Sequence, residues 1–241
     1  MPATKEQTDE HPIIFSGWSI RRIFADEKSQ TRRIVKPQPP SDVRSVMWDD
    51  MGGDWIGTVG SRNDPVRWNE KCPYGQPGDV LWGREAFRVP EAYDDMSPRE
   101  YVDESAFDDG FHPVQYEADE SDTIKWVSPR GRTVEWGRKR PSIHMPRELC
   151  RLRLRVEDIR VERVQEVDYQ DMMAEGIEPE TTPGVQAARS GRLTAGTPSS
   201  FIPKKGLQGR FVDLWNDIHG DGAWEENPFV WCVEFSKIDT E

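Results

Sequence analysis

The feature that most constrains the fold of this 241-residue chain is a long alternation of apolar residues between Leu149 and Val164. Alternating apolar positions are typical of a β-strand with one buried face. The pattern predicts one long strand, or two strands with a bend near Glu157 and Asp158. Its apolar members are Leu152, Leu154, Val156, Ile159, Val161 and Val164. The backbone groups of such a strand need partners, so the rest of the chain has to supply a sheet.

Shorter strand patterns occur at residues 12–15, 80–87 and 229–235. Three helices are also predicted. One follows Ser16 with an apolar face that includes Trp18, one begins after Asp168 and is stopped by Gly176, and one covers Gly209 to His219. The helices are short and isolated, and the strands lack regular βαβ alternation. The sequence therefore predicts an α+β fold with a curved or closed sheet.

We predict a single domain over residues 12–238, preceded by a flexible tail at 1–11. Three stretches are interpreted as long surface insertions, at about 41–70, 88–136 and 178–208. The first is expected to be irregular, and the second is acidic with short strands at Val114–Glu117 and Thr133–Trp136. The third is rich in Pro, Gly, Thr and Ser, which predicts a mobile loop.

The charge balance limits the kinds of partner. A formal net charge of −12 argues against sequence-indifferent binding to long nucleic acid, which needs many cations that neutralise phosphates. The charge is nevertheless divided along the chain. Residues 129–155 are strongly basic, whereas the charged residues between 91 and 122 are all acidic except Arg99. A local basic surface is therefore compatible with the overall acidity.

The three cysteines, Cys72, Cys150 and Cys232, are too far apart for a disulfide framework or a metal-ligand pair. The four histidines show no metal-ligand spacing, and only His144 lies in an apolar, strand-like context. The chain has no phosphate-binding glycine loop or nucleophile elbow. We expect no metal and no cofactor. No apolar run reaches membrane-spanning length and no signal peptide opens the chain, so the protein is expected to be soluble and cytoplasmic, with no membrane partner.

The segment from Phe24 to Pro37 carries an unusual set of polar groups at a helix-to-strand junction. Lys28, Thr31, Arg32 and Arg33 place an amine, a hydroxyl and two guanidinium groups where side chains converge on one small volume. Junctions of this kind often carry functional sites. A solvated turn is the alternative interpretation.

The predicted strand at 80–87 raises a separate question about Glu85. If the face with Leu81 and Phe87 is the inner one, Glu85 is buried among apolar neighbours and needs a partner, best an arginine. Arg32 and Arg33 point to opposite faces of their strand. One of them is expected to meet Glu85 or a ligand, and the other solvent.

Four stretches together resemble an ASCH domain: Ala25 to Arg32, Gln76 to Leu81, Met173 to Gly176, and Phe229 to Phe235. The chain is most similar to the larger phage and prophage form. That form has Cys-Pro-Tyr-Gly, here at 72–75, and Ser-Ile-His-Met-Pro-Arg, here at 142–147. The resemblance implies a β-barrel related to the PUA fold, with a cleft facing the helix-to-strand turn.

The resemblance also implies a function, because ASCH domains bind RNA or modified nucleobases. One small bacterial branch is an amidohydrolase that removes the acetyl group from the exocyclic amine of cytidine, using a Lys, a Thr and a Glu. These correspond to Lys28, Thr31 and Glu175. The family usually has Gly-Arg-Lys at the start of the motif, whereas this chain has Asp26-Glu27-Lys28.

Two assignments of the chemistry remain open. A neutral Lys28 activates Thr31 while Glu175 protonates the leaving amine, or a charged Lys28 polarises the carbonyl while Glu175 is the base. The first requires a depression of about three units from the ordinary lysine pKa of about 10.4. Further substrate contacts are predicted for Arg32, Arg33, Glu85, Trp18, Ser142 and His144.

The first functional hypothesis is an amidohydrolase acting on N(4)-acetylcytidine or a related modified base. The second is a non-catalytic module of a phage or prophage that binds a modified nucleic acid, RNA rather than DNA. A ribonuclease is the weakest of the three, because the sequence shows no pair of histidines for acid–base cleavage.

Overall fold

A computed structural model describes residues 8–61, 64–104, 112–119, 125–127, 133–178 and 204–238. The strands are β1 Glu10–Ile14, β2 Gln30–Ile34, β3 Ser45–Asp49, β4 Asp54–Thr58, β5 Trp68–Glu70, β6 Val80–Arg84, β7 Phe87–Arg88, β8 Gln115–Tyr116, β9 Lys125–Val127, β10 Thr133–Glu135, β11 Leu152–Arg163 and β12 Phe229–Lys237. The α-helices are α1 Gly17–Phe24, α2 Pro98–Glu104, α3 Tyr169–Ala174 and α4 Lys204–His219. The predicted α+β class is confirmed. None of the described helices is both long enough and apolar enough to cross a membrane.

The chain forms two compact units, each assembled from separate stretches. The first unit comprises residues 1–25, 73–157 and 235–241, and the second comprises 26–72 and 158–234. Strands β11 and β12 contribute residues to both. The prediction of a single domain over 12–238 stays a prediction.

In the first unit, β6 pairs in parallel with β1 and antiparallel with β11. Ile13, Leu81, Leu152 and Leu154 from these strands are almost fully buried. Helix α1 begins where the sequence predicts, because the Ser16 hydroxyl accepts a hydrogen bond from the Ser19 amide at 3.2 Å. The sheet and helix of this unit therefore follow the sequence pattern closely.

The acidic stretch of the first unit supplies core residues despite its lack of periodicity. Val89 and Tyr101 are completely buried in a cluster with Phe87, Met145 and Leu149. The short strands predicted near residues 114 and 133 are present as β8 and β10. Helix α2, which carries Tyr101, is an element that the sequence interpretation misses.

In the second unit, β3, β4 and β5 form an antiparallel sheet. The prediction that residues 41–70 are irregular is therefore wrong. The strands are held by aromatic contacts, since the ring centroids of Trp48 and Trp55 lie 5.7 Å apart and those of Trp55 and Trp231 lie 5.8 Å apart. Trp231 is remote in sequence from these strands. Because the contacts that hold them are not local, the short strands between Gly- and Asp-rich turns give no local sequence signal for a sheet.

The pairing of β2 with β12 defines two faces that position the candidate site. The register joins Thr31 to Val233 and Arg32 to Cys232. Residues directly opposite one another in an antiparallel pair share a face. One face carries Gln30, Arg32, Ile34, Val230, Cys232 and Glu234, and the other carries Thr31, Arg33, Trp231 and Val233.

Helix α3 confirms the prediction of a two-turn helix with Asp168 as its N-cap. The Asp168 carboxylate accepts a hydrogen bond from the Asp171 amide at 2.8 Å. At the other end, Gly176 has a φ of +86°, and the amide of Ile177 donates to the Met172 carbonyl at 3.1 Å. This Schellman-type ending fixes Glu175 as the last residue of the helical turn.

Helix α4 starts at Lys204, five residues before the predicted start at Gly209. Residues 204–208 are therefore helical, which corrects the predicted loop over 178–208 at its end. Residues 179–203 of that predicted loop lie outside the described residues.

Candidate functional site

Lys28 and Glu175 meet in the second unit although they are 147 residues apart in sequence. The Lys28 Nζ lies 2.6 Å from Glu175 Oε2 and also donates to the backbone carbonyl of Glu175 at 2.8 Å. The residues are 6% and 7% exposed, respectively. The loop between α1 and β2 thus delivers a buried ammonium group to the carboxyl end of α3.

This contact also has a structural role. The Ser29 amide donates to the Ala174 carbonyl at 2.8 Å, next to the carbonyl that Lys28 binds. The last carbonyls of a helix lack intrahelical partners and carry partial negative charge. Lys28 and Ser29 therefore cap α3 as well as fixing Glu175.

Arg32 is the second cation at Glu175, and it binds three carboxylates. Its Nη1 donates to Glu175 Oε1 at 3.4 Å, and its Nη2 donates to Glu162 at 2.6 Å and to Asp171 at 2.7 Å. Only 1% of the Arg32 side chain is exposed. A guanidinium that serves three carboxylates is rigidly held, so it fixes their relative positions.

Arg160 on β11 contacts two of the carboxylates that Arg32 binds and adds a further one. It donates to Asp171 at 2.5 Å and to Glu162 at 3.1 Å, and it also forms an ion pair with Glu234 on β12. We call the whole set the charge cluster: Lys28, Arg32, Arg160, Glu162, Asp171, Glu175 and Glu234. It contains three cations and four carboxylates.

Burial is the main influence on Lys28. It lowers the pKa of the Lys28 amine, Glu175 opposes this by favouring the charged form, and Arg33 and Arg32 lower the pKa further. The net direction is downward, so this amine gives up its proton more readily than an exposed lysine. At a separation of 2.6 Å, Lys28 and Glu175 form a direct and buried contact.

Cys232 lies on the same face as Arg32 but is unsuited to nucleophilic chemistry. Its Sγ lies 3.2 Å from Glu162 Oε1, and burial raises the pKa of the thiol. A thiol needs to ionise before it attacks a substrate. Cys232 therefore acts as a weak hydrogen-bond donor to Glu162.

Thr31 is buried, with 4% exposure, but its side chain belongs to the other face of β2. That face carries Val233 and Trp231, whereas Arg32 contacts the charge cluster from the opposite side. Arg33 lies on the face of Thr31. Among the predicted site residues, direct contacts therefore unite Lys28, Arg32 and Glu175.

Glu85 belongs to the first unit and is 1% exposed. The sequence analysis expects Arg32 or Arg33 to be its partner, but in the structure the partner is Arg151. Arg151 binds Glu85 in bidentate fashion at 2.8 and 3.0 Å. Burial raises the pKa of the Glu85 carboxyl, and Arg151 counteracts the shift.

The other predicted substrate contacts also lie in the first unit. Trp18 is on α1, with the Arg22 guanidinium carbon 5.5 Å from its ring centroid. Ser142 and His144 lie in a short 3₁₀ turn, where His144 is exposed. The strand-like apolar setting expected for His144 is therefore wrong, because the flanking prolines make a turn at this point.

Most of the described cations in the basic region have hydrogen-bond partners within the first unit. Arg147 and Arg153 both bind Glu10, at 2.7 and 2.8 Å, and Lys139 binds Glu117 at 2.9 Å. Arg140 is buried and donates to the backbone carbonyl of Met96 at 2.8 Å. These cations have internal partners, so their number overstates the charge available to phosphates.

Four members of the charge cluster are missed by the sequence interpretation: Arg160, Glu162, Asp171 and Glu234. A signal for two of them exists, because Arg160 and Glu162 are two residues apart in the long predicted strand and so share one face. Asp171 occupies the third position of α3, where its side chain also accepts a hydrogen bond from the Asp168 amide. Its role in capping is readable from the sequence, but its contacts with two arginines are not.

Acid is expected to weaken the charge cluster through Asp171. Burial tends to raise the pKa of this carboxyl, but Arg32 and Arg160 lower it below its ordinary value. A carboxyl with a lowered folded-state pKa stabilises the protein above its unfolded value of about 3.9, and this contribution disappears as the pH falls through the folded value.

We therefore expect the difference in unfolding free energy between the wild type and Asp171→Asn to be larger at about pH 7 than at about pH 3. Urea unfolding at both pH values measures it. A difference that is constant over this range would mean that the charge of Asp171 contributes nothing to stability.

Among the described residues, no group of three or more His, Cys, Asp and Glu side chains is arranged to hold a metal ion. Comparison of the whole chain with family models, with curated proteins and with solved structures gives no match.

Proposed function

We propose that the chain is an ASCH-like, nucleobase-directed amidohydrolase with a PUA-related barrel. Its substrate is a cytidine, or a related base, that carries an acyl group on its exocyclic amine. The observation that supports this proposal best is the buried contact of 2.6 Å between Lys28 and Glu175, with Arg32 beside it. Lys28 and Glu175 are two of the three residues that the resemblance to the amidohydrolase branch singles out.

The chemistry of this pair suits amide hydrolysis. The reaction needs a base that takes a proton from the attacking nucleophile, and an acid that returns one to the leaving amine. In the proposed mechanism Lys28 accepts a proton from the attacking nucleophile, and its ammonium form returns a proton to the leaving amine while Glu175 holds it in position. Arg32 donates to the same carboxylate and so holds Glu175 in position beside Lys28.

We assign the nucleophile to water and the base to Lys28 in its neutral form. The lowered pKa of Lys28 supports this choice of base. Thr31 belongs to the face of β2 opposite to Arg32, so attack by its hydroxyl would need a rearrangement that attack by water does not. Water adds to the carbonyl carbon, the carbon–nitrogen bond breaks, and the products are a free carboxylic acid and the unmodified amine.

The experiment is a mass-spectrometric screen of the purified full chain against a panel of nucleosides acylated on the exocyclic amine. We expect wild-type protein to release at least one free nucleoside, and Lys28→Met to lower that rate by about 10²-fold or more. Arg155→Ala, which changes an exposed arginine on β11, is the matched control and should keep full activity.

Thr31→Val tests the nucleophile, because valine keeps the shape of threonine without its hydroxyl. A loss of activity smaller than about tenfold supports water, whereas a loss as complete as that of Lys28→Met returns the nucleophile role to Thr31. If no member of the panel is hydrolysed, the amidohydrolase proposal fails. Steeply salt-dependent RNA binding in that case would favour the non-catalytic alternative.

A further inference from the structure

The first unit contains a cleft whose lining residues do not include Lys28 or Glu175. Its volume is about 470 Å³, within the range of pockets that hold small organic ligands. Ile20, Phe24 and Ala118 supply apolar walls, while the polar lining comes from Arg21, Asp119 and Arg151. A mostly apolar cleft with a few fixed polar groups is the usual form of a small-molecule site.

Asp119 is held in place by a chain of contacts behind it. Arg151 Nη1 lies 2.7 Å from Asp119 Oδ1, while its Nε and Nη2 bind the buried Glu85. The Arg151 guanidinium is also 4.0 Å from the Tyr116 ring centroid and 5.0 Å from that of Phe24. The Asp119 side chain is 46% exposed. Its carboxylate is fixed by Arg151 and still has acceptor positions available to a ligand in the cleft.

Among the described residues at the cleft, the charges balance. Arg21 and Arg151 provide two cations, while Asp119 and Glu85 provide two carboxylates. A charged ligand would therefore find little net attraction, whereas a neutral ligand with a hydrogen-bond donor suits Asp119. Phe24 is 40% exposed on the cleft wall and offers a ring surface for stacking.

We propose that this cleft binds a neutral, planar heteroaromatic ring that carries an amino group. The ring packs on Phe24 and the amino group donates a hydrogen bond to Asp119. None of the residues that line the cleft belongs to the charge cluster. Binding of this ligand requires no catalytic activity of the protein.

Two matched pairs of nucleosides test the proposal by isothermal titration of the full chain. Cytidine and adenosine carry the amino group, whereas uridine and inosine replace it with a carbonyl oxygen. We expect the wild type to bind each amino member about tenfold or more tightly than its partner. Asp119→Asn should remove this preference, and Phe24→Ala should weaken binding of all four.

Two control variants show whether the preference belongs to this cleft. Glu117→Gln changes a comparably exposed carboxylate in the same 3₁₀ turn and should keep the preference. Lys28→Met should also keep it, even if the hydrolase proposal fails. The inference is overturned if neither amino nucleoside binds saturably at about millimolar concentration, if the preference survives Asp119→Asn in folded protein, or if Lys28→Met abolishes binding.

Discussion

Replacing Arg32 with alanine is expected to lower the free energy of unfolding by about 3–5 kcal/mol. The guanidinium contacts Glu162, Asp171 and Glu175, and its side chain is almost fully buried. Its removal leaves negative charges in a poorly solvated region with fewer cations to compensate them. Denaturant unfolding measures the effect, and an unchanged m-value shows that the loss concerns stability alone.

Two further substitutions separate this effect from a general loss of positive charge. Arg155→Ala, at an exposed position of β11, should change the unfolding free energy by less than about 0.5 kcal/mol. Arg32→Lys should fall between alanine and the wild type, because an ammonium group keeps the charge but cannot form a fork of hydrogen bonds. An Arg32→Ala variant within about 1 kcal/mol of the wild type would contradict the structural role given to this residue.

The combined substitution Lys28→Met and Glu175→Leu is expected to abolish hydrolysis while leaving the protein folded. Replacing both partners of a buried ion pair by apolar residues is often neutral, or stabilising by about 1–4 kcal/mol, whereas removing one partner costs about 3–5 kcal/mol. Here the gain is reduced by about 1 kcal/mol, because Lys28 also donates to the Glu175 carbonyl. The double variant should therefore be more stable than Glu175→Leu alone, which leaves the Lys28 amine buried without the carboxylate partner that it has in the wild type.

A double-mutant cycle measures the coupling between the two residues, with unfolding free energy and hydrolysis rate recorded on the same samples. Stability and activity are expected to diverge, which distinguishes a pair maintained for chemistry from one maintained for folding. A double variant that is less stable than both single variants would refute the energetic argument. One that still hydrolyses its substrate would remove the pair from the reaction.

Local signals in the sequence are sufficient for much of this site. Asp168 as a helix cap and Gly176 as a helix stop locate α3, so the position of Glu175 on its turn follows from nearby residues. The strand at 229–235 and the helix after Ser16 also have regular patterns that the structure confirms. Local signals do not predict the contact between Lys28 and Glu175. Only the resemblance to ASCH domains leads one to expect it.

Other features depend on contacts between residues that are distant in sequence. The face to which Thr31 belongs follows from simple alternation, but the location of the charge cluster on the opposite face depends on α3 and β11. Arg151 reaches Glu85 across 66 positions, and Trp55 packs on Trp231. No local pattern specifies such partners, since each of these side chains has several chemically equivalent candidates.

The interleaving of the two units has a consequence for biosynthesis. The first unit draws on residues before 26, on a middle stretch, and on residues after 234. A ribosome makes these stretches in order, so the residues before 26 must wait until residues beyond 234 have been made before their unit is complete. Nascent chains that are arrested before residue 235 should consequently leave β1, β6 and the first part of β11 vulnerable to protease, however well the second unit has formed.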